Sequence, residues 1–258
     1  MKPTVALKPK RILVLDVGGS HVKVSLWPVA REIKIPSGPD MDPERMVRKL
    51  KKALRGQRYD AVAIGYPGLV VHGKIVREPY NLGKGWVGYD FERAFRRPTR
   101  IVNDAAMQAL GSYHGGSMLF LGLGTGLGTA MIVEGRLEPM ELAHLPYKKG
   151  RTYEDLVGER GLLRLGRKKW EKEVFGVVET LSAALQPEYV VLGGGNARKL
   201  RTLPPGAQRG DNRDAFAGGV RLWIDDPFRD DASRRRPVAR RSATRAARRP
   251  GPRRRPRP

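Results

Sequence analysis

Cysteine is absent from this chain of 258 residues, and its absence excludes several kinds of chemistry at once. No disulfide framework, thiolate zinc site or cysteine nucleophile can form. Long apolar runs are missing as well, because the first one, residues 12–17, is too short for the core of a signal peptide. No stretch approaches the roughly 18 apolar residues that a membrane helix needs. We therefore expect a cytoplasmic protein with no membrane partner.

Acidic residues are scarce relative to basic ones. The chain has 50 Lys and Arg against 26 Asp and Glu, which gives a formal net charge of +24. Residues 229–258 hold thirteen Arg and two Asp, a net +11, so subtraction leaves +13 for residues 1–228. The segment 229–258 has no apolar periodicity, and its Arg, Pro, Ala and Ser composition predicts a disordered tail. Such a tail would bind polyanions unspecifically, but no RNA-binding motif accompanies it.

Strands and helices alternate along the rest of the chain. Apolar runs predict strands over residues 12–17, 22–27, 61–64, 100–102, 118–123, 129–133 and 189–192. Apolar spacing of three and four predicts helices over residues 43–55, 105–113 and 167–185. This alternation is typical of the α/β class.

Glycine-rich turns follow three of the predicted strands: Gly18–Gly19, GLGTGLG at 122–128, and Gly193–Gly195. Any one of them could be a simple turn, since glycine adopts positive φ at little cost. Three such turns after three strands favour phosphate binding, because glycine lets backbone N–H groups approach an anion. No GxxxxGK[ST] motif occurs, and the middle turn lacks the ribose-binding context of a dinucleotide fold.

Seven segments, taken together and in this order, resemble the ROK family of sugar kinases, and within it the polyphosphate-glucokinase-like branch. They are DVGGSHVKVSL at 16–26, GYPGLV at 65–70, NLGKGW at 81–86, NDAAMQALG at 103–111, LGLGTGLGTAMIVEG at 121–135, ELAH at 141–144 and LGGG at 192–195. The resemblance implies a two-lobed fold like that of actin, hexokinase and the Hsp70 ATPase, with the active site in the cleft between the lobes. We expect one lobe in residues 1–103, the second in 104–228, and the tail in 229–258.

The resemblance also implies roles for individual residues. Asp104 would be the general base that accepts the proton of the attacking sugar hydroxyl. The alternative is that Asn103 and Asp104 cap the helix that follows, and both roles can coexist. The substrate-binding residues implied are Asn103, Glu141, His144 and Glu154. His21, His72 and His114 are given structural roles.

The donor phosphates would lie against two glycine-rich turns and a nearby lysine. The residues implied for the phosphates are Gly18, Gly19, Ser20, Lys23, Gly124, Thr125 and Gly126, while Gly193, Gly194 and Gly195 fall where relatives bind adenosine. Asp16 would lie near a Mg²⁺ ion, or would only cap the turn that follows its strand. ATP and inorganic polyphosphate both remain possible donors.

Two departures from the family pattern stand out. Ala143 replaces the glycine of the family's ExGH motif, and its Cβ would crowd the backbone if that position needs positive φ or close approach of the sugar. Residues 145–152, LPYKKGRT, contain none of the cysteines with which many ROK proteins hold zinc, so no structural zinc is expected.

The function implied is phosphorylation of a hexose, with glucose the leading candidate, to give glucose 6-phosphate; a homodimer is also expected. The alternative is a catalytically weak, sugar-binding or regulatory ROK protein. Because regulators of that family carry an N-terminal helix-turn-helix and only about ten residues precede the first strand, we expect no such DNA-binding segment here.

Overall fold

The computed structural model describes residues 9–29, 31–211 and 213–228. The described residues, which end at Phe228, form one compact unit. The predicted disorder of residues 229–258 lies outside the described residues. The boundary predicted between residues 103 and 104 remains a prediction.

The described residues contain fourteen strands, seven α-helices and a 3₁₀ helix. The strands are β1 (Ile12–Val17), β2 (His21–Trp27), β3 (Glu32–Pro36), β4 (Ala61–Tyr66), β5 (Val70–Val71), β6 (Lys74–Ile75), β7 (Thr99–Asn103), β8 (Ser117–Leu123), β9 (Leu127–Val133), β10 (Arg136–Met140), β11 (Pro146–Lys148), β12 (Arg151–Thr152), β13 (Tyr189–Gly193) and β14 (Ala207–Arg209). The helices are α1 (Pro43–Leu54), α2 (Phe91–Phe95), α3 (Asp104–Ser112), α4 (Tyr153–Val157), α5 (Glu159–Leu165), α6 (Arg167–Leu185) and α7 (Asp214–Ile224), and the 3₁₀ helix is Gly195–Lys199.

Two five-stranded sheets share one connectivity. The first has the order β3-β2-β1-β4-β7, and the second has the order β10-β9-β8-β13-β14. In each sheet, three antiparallel strands that follow one another in sequence are succeeded by two strands parallel to the first of them. The turn between β1 and β2 therefore has the same place in the first sheet as the turn between β8 and β9 has in the second.

The central strands β1, β4, β8 and β13 are buried on both faces, which explains their continuous apolar runs. Ile12 and Val14 of β1 face a central core that also contains residues of α3, α7 and the second sheet. Leu13 and Leu15 point the other way, into a core built with α1 and α2. Another core lies between the second sheet and α4, α5 and α6. Only the central core includes residues from both sheets.

Helices α3 and α7 cross with their backbones in contact inside the central core. A Cβ added to Gly111 would lie 1.8 Å from the carbonyl oxygen of Asp214, and one added to Gly218 would lie 1.7 Å from that of Met107. Since α3 connects the last strand of the first sheet to the first strand of the second, this crossing fixes one sheet relative to the other.

All the predicted strands and helices are present, with ends that differ by a few residues at most. Helix α6 has the predicted bounds 167–185. The sequence did not predict α7, because its N-cap residue, Arg213, forms no side-chain cap bond and the helix contains Gly218 and Gly219, which disfavour a helix. Within the described ranges, no helix is long and apolar enough to cross a membrane.

Candidate functional site

A cavity of about 420 Å³ lies where equivalent turns of the two sheets meet. Gly18, Gly19 and Ser20 come from the turn between β1 and β2, and Gly124 and Thr125 come from the turn between β8 and β9. The full lining is Asp16, Gly18, Gly19, Ser20, His21, Lys23, Gly124, Thr125, Glu159, Gly195 and Asn196. Eight of these residues are among those that the sequence predicts for phosphate or metal binding.

Backbone N–H groups in both turns are free to bind a ligand. Gly18 N–H donates to the carbonyl of His21 at 3.0 Å and Gly124 N–H to that of Gly126 at 3.1 Å, which closes the two turns. Among the described residues, the N–H groups of Gly19, Ser20 and Thr125 donate to no backbone acceptor. Free N–H groups that line a cavity from opposite sides are suited to bind an anion such as phosphate.

The turn between β8 and β9 is stabilised by Asn196, which directly follows the third glycine-rich segment, and by Glu154 of α4. Asn196 Nδ2 donates to the carbonyl of Gly124 at 3.0 Å. The N–H of Leu127 donates to Glu154 Oε2 at 3.1 Å, and a Cβ added to Gly126 would lie 2.3 Å from that same oxygen. Glycine is therefore required at 126 for close approach of the carboxylate, and Glu154 contacts the turn between β8 and β9 directly.

The third glycine-rich segment, Gly193–Gly195, allows close packing against β8. Gly193 is buried in β13, where an added Cβ would lie 2.4 Å from the ring of Phe120. Gly194 has φ +79°, and a Cβ there would lie 2.4 Å from the carbonyl oxygen of Leu123. Of the three predicted glycines, Gly195 is the one that lines the cavity.

Asp16 and Lys23 form an ion pair at the edge of the cavity. They are opposite each other in the antiparallel pairing of β1 and β2. Lys23 Nζ lies 2.9 Å from Asp16 Oδ2, and the side chain of Asp16 is 9% exposed against 32% for that of Lys23. The lysine thus supplies a positive charge to the cavity while it compensates a nearly buried carboxylate.

Asn103 caps α3, as one of the two interpretations of its sequence position predicts. Its Oδ1 accepts from the N–H groups of Ala105 at 2.9 Å and Ala106 at 3.3 Å, and its Nδ2 donates to the carbonyl of Gly68 at 3.1 Å. The cap fixes the start of α3, where Asp104 is the first residue. Sugar binding by Asn103 remains a prediction.

Asp104 has a carboxyl group suited to proton transfer near neutral pH. Its pKa is raised to about 7, chiefly by burial and next by the negative charge of Asp16. The hydrogen bond from the N–H of Ala105 and the charge of Lys23 act in the opposite direction. A base with a pKa near the working pH combines availability of the ionised form with a useful affinity for a proton.

Glu141 and His144 are paired with each other on the surface. His144 Nδ1 lies 3.3 Å from Glu141 Oε1, and both side chains are more than 60% exposed. Ala143 between them is buried in the outer core of the second sheet, and its φ is not in the positive range. Crowding of a positive-φ backbone by Ala143 is therefore ruled out. Within the described residues, no hydrogen bond joins the Glu141–His144 pair to Asp104 or to the cavity.

Three residues of the cavity lining have no role in the sequence-based prediction: His21, Glu159 and Asn196. His21, for which the sequence predicts a structural role, directly follows Ser20 at the start of β2. Asn196 follows the glycines 193–195, and a polar residue after a glycine run is a signal that could have been used. Glu159 has no such signal, because the fold brings it to the cavity through its N–H bond to the carbonyl of Gly124 at 3.0 Å.

The few carboxylates at the cavity are suited to bind a metal ion that keeps several water ligands, rather than one that is coordinated by protein groups alone. Among the described residues, no group of three or more His, Cys, Asp or Glu is arranged to hold a metal. Mg²⁺ commonly binds one or two carboxylates together with water and phosphate oxygens. Asp16 lines the cavity. Asp104 is not part of the lining, but it lies close enough for the charge of Asp16 to raise its pKa, so Asp16 with the nearby Asp104 fits that kind of site.

The repeated sheets, the shared central core and the cavity between the equivalent turns define a protein of the two-lobed actin/hexokinase/Hsp70-like ATPase fold. The ROK family model matches residues 13–139 of this chain.

Known proteins similar to this chain include a polyphosphate glucokinase of Mycobacterium tuberculosis, 28% identical over 217 residues that cover 74% of this chain and 80% of the relative. The inorganic polyphosphate/ATP-glucomannokinase of Arthrobacter sp. strain KM has a similar structure, with a TM-score of 0.70, 22% identity, and coverage of 84% of this chain and 99% of that one. A ROK family glucokinase of Streptomyces griseus, in complex with glucose and AMPPNP, matches with a TM-score of 0.67 at 15% identity, covering 83% and 99%.

Proposed function

We propose that this protein is a sugar kinase that transfers a phosphoryl group from ATP or inorganic polyphosphate to a hexose, with glucose 6-phosphate as the product from glucose. The observation that carries the proposal is the cavity itself, where free N–H groups of two equivalent turns lie beside the Asp16–Lys23 ion pair. The glucokinase and polyphosphate glucokinase names of the similar proteins support glucose as the sugar and either donor.

In the proposed reaction, the donor phosphates bind the N–H groups of Gly19, Ser20 and Thr125, with Lys23 as the nearby cation. Phosphoryl transfer proceeds through a loose transition state that is stabilised chiefly by positioned donors and positive charge. A Mg²⁺ ion held by Asp16 would supply further positive charge to the phosphates.

Asp104 is the proposed general base. The oxygen of a sugar hydroxyl attacks the terminal phosphorus, the bond from that phosphorus to the donor's bridging oxygen breaks, and the hydroxyl proton passes to the Asp104 carboxylate. The raised pKa of Asp104 means that the carboxylate accepts this proton more readily than an ordinary aspartate does.

The sugar would be bound by Asn103, Glu141, His144 and Glu154. Asn103 is adjacent to the proposed base, and Glu154 contacts the turn that holds Thr125. Glu141 and His144 are solvent-exposed, and their mutual contact at 3.3 Å leaves the other imidazole nitrogen and carboxylate oxygen for sugar hydroxyls. We also expect a homodimer, to be measured by analytical ultracentrifugation.

The experiment that tests the proposal is a hexose panel against ATP and long-chain polyphosphate, with and without Mg²⁺. We expect Mg²⁺-dependent formation of a hexose 6-phosphate, with glucose among the best substrates. Sugar binding measured by calorimetry without turnover on any donor would instead identify a sugar-binding or regulatory protein. Absence of both binding and turnover would overturn the assignment altogether.

A further inference from the structure

A second cavity, of about 710 Å³, has a wall that carries positive charge. Its lining includes Arg167, Arg198, Lys199 and Arg201, together with Leu162 and Leu163 of α5. No acidic residue is part of this lining. We call this cavity the basic groove.

The cations of the basic groove have little compensation from the protein. None of the four forms an ion pair within the described ranges. Glu171 Oε1 accepts the backbone N–H of Arg201 at 2.8 Å, not its guanidinium. Arg198 contributes to the lowered pKa of Asp211, but the main cause there is Arg213, which binds that carboxylate directly. Four like charges around one groove repel one another, and a bound anion would relieve that repulsion.

The 3₁₀ helix Gly195–Lys199 connects the groove to the phosphate cavity. Gly195 and Asn196 line the cavity between the glycine-rich turns, and Arg198 and Lys199 line the groove. At about 2 Å of rise per residue, the helix spans roughly 8 Å between these two sites. One extended anion could therefore occupy both.

The wall of the groove is held in place without using its cations. Arg209 of β14 donates from Nη1 to the carbonyl of Ala197 at 3.0 Å and from Nη2 to that of Leu200 at 3.1 Å. These bonds satisfy carbonyls at the end of the 3₁₀ helix, and Asn196 fixes its start through Gly124 at 3.0 Å. The helix that carries Arg198 and Lys199 is thus anchored at both ends.

We propose that the basic groove binds the distal phosphates of a long polyphosphate donor whose terminal phosphate lies in the glycine-lined cavity. This inference rests on the proposed kinase function and goes beyond it, because it assigns a donor preference to particular residues. ATP carries its charge on the triphosphate, and its nucleoside end is neutral, so four cations beyond the cavity would gain little from it. A donor charged along its whole length would engage both sites.

The test compares the full-length protein with a variant that carries Arg198→Gln and Lys199→Gln. A control variant, Arg48→Gln with Lys52→Gln, removes the same charge from exposed positions of α1 on the outer face of the first sheet. KM is measured at saturating glucose for long-chain polyphosphate, tripolyphosphate and ATP, over a range of salt concentrations. Thermal unfolding of each variant checks that the fold is intact.

For the groove variant at low salt, we expect the KM of long-chain polyphosphate to rise about tenfold, with kcat unchanged, because two phosphate contacts are lost. The slope of log KM against log salt should fall by about 1.4, the value for two cations on a flexible polyanion. The KM values for ATP and tripolyphosphate should change less than twofold, and the control should match the wild type with every donor.

Several results would overturn the inference. An equal rise of the KM for ATP would identify the groove as a nucleotide site. An equal rise of the polyphosphate KM in the control variant would show that the effect comes from the protein's net charge and not from the groove. If single-stranded RNA at equal phosphate concentration competed as well as polyphosphate, the groove would be an unspecific polyanion site. Should the wild type turn over no donor, the proposed function fails, and binding of labelled polyphosphate to the same variants then decides on the groove separately.

Discussion

At the scale of single residues, Asp104 combines a raised pKa with the proposed role of general base. Asp104 is the first residue of α3. Its pKa is raised because a second buried negative charge near the Asp16 carboxylate is energetically unfavourable. Lys23 offsets part of that cost through Asp16, at 2.9 Å. Such an arrangement lowers stability at the position where a reactive base is needed.

The first prediction concerns catalysis. Asp104→Asn keeps the shape of the side chain but removes proton acceptance, so we expect kcat to fall on the order of 100-fold or more, with little change in sugar affinity. Steady-state kinetics and glucose calorimetry measure the two effects. The Asn103→Ala variant is the comparison, because loss of a binding and capping side chain should act substantially through KM. Near-normal turnover by Asp104→Asn would exclude it as the base.

The second prediction concerns stability and pH. The folded-state pKa of Asp104 is raised from 3.8 to about 7, so between those pH values the folded protein holds a proton that the unfolded chain has released. Its contribution to stability therefore falls as pH rises through this range. Asp104→Asn should be more stable than the wild type at pH 8, by on the order of 1 kcal/mol or more, and the difference should vanish near pH 4. Urea unfolding at both pH values measures it, and a difference independent of pH would contradict the raised pKa.

At the scale of secondary-structure elements, the crossing of α3 and α7 fixes the position of one sheet relative to the other. The helices touch backbone to backbone at Gly111 and Gly218, where any side chain would overlap a carbonyl oxygen. The same α3 carries Asp104 at its first position. The helix that positions the proposed base is therefore also the one that joins the lobes.

The third prediction tests this crossing. Gly111→Ala would place a Cβ 1.8 Å from the carbonyl oxygen of Asp214, so the helices must separate, and we expect a loss of about 2 kcal/mol or more in the free energy of unfolding. Gly176→Ala in α6 is the matched control, since its Cβ would meet only the hydroxyl of Tyr147 at 3.0 Å. The better helix propensity of alanine should leave that control neutral or more stable by up to about 1 kcal/mol. Equal stabilities for the two variants would show that the crossing tolerates a side chain.

At the scale of the whole molecule, positive charge is divided between the compact unit and the C-terminal segment. Residues 229–258 carry +11 of the total of +24. Each residue that we assign to the cavity or to the basic groove lies before position 202. Charge for polyanion binding is thus present in two separate parts of the sequence.

The fourth prediction separates these parts. A chain that ends at Phe228 keeps the Arg100–Asp226 ion pair at 3.0 Å and the bond from Leu137 N–H to the carbonyl of Pro227 at 3.2 Å, so we expect it to fold. The kcat and KM for the hexose with ATP as donor should be nearly unchanged, whereas the affinity of salt-sensitive binding to nucleic acid should fall sharply. Filter binding and steady-state kinetics measure both effects. Loss of activity with every donor would show that the C-terminal segment is needed by the enzyme itself, and loss with polyphosphate alone at low salt would make it a tether for that donor.

The sequence by itself determined the α/β class, the order of the main strands and helices, and the three glycine-rich turns. These are local properties, since apolar runs, caps and glycines act over a few neighbouring residues. Its motifs also drew attention to Asp16, Lys23 and the turns after β1 and β8, and the fold brings these residues into one cavity.

Only the tertiary structure decided what depends on distant contacts. Helix α7 forms in spite of Gly218 and Gly219 because their missing side chains let it pack against α3 and β1, a gain that no local pattern reveals. Burial and the neighbouring charge of Asp16 set the pKa of Asp104. The basic groove joins Arg167 to Arg198 and Arg201, residues that are separated in the chain and meet because α6, which begins at Arg167, and the 3₁₀ helix pack into the same core beside the second sheet.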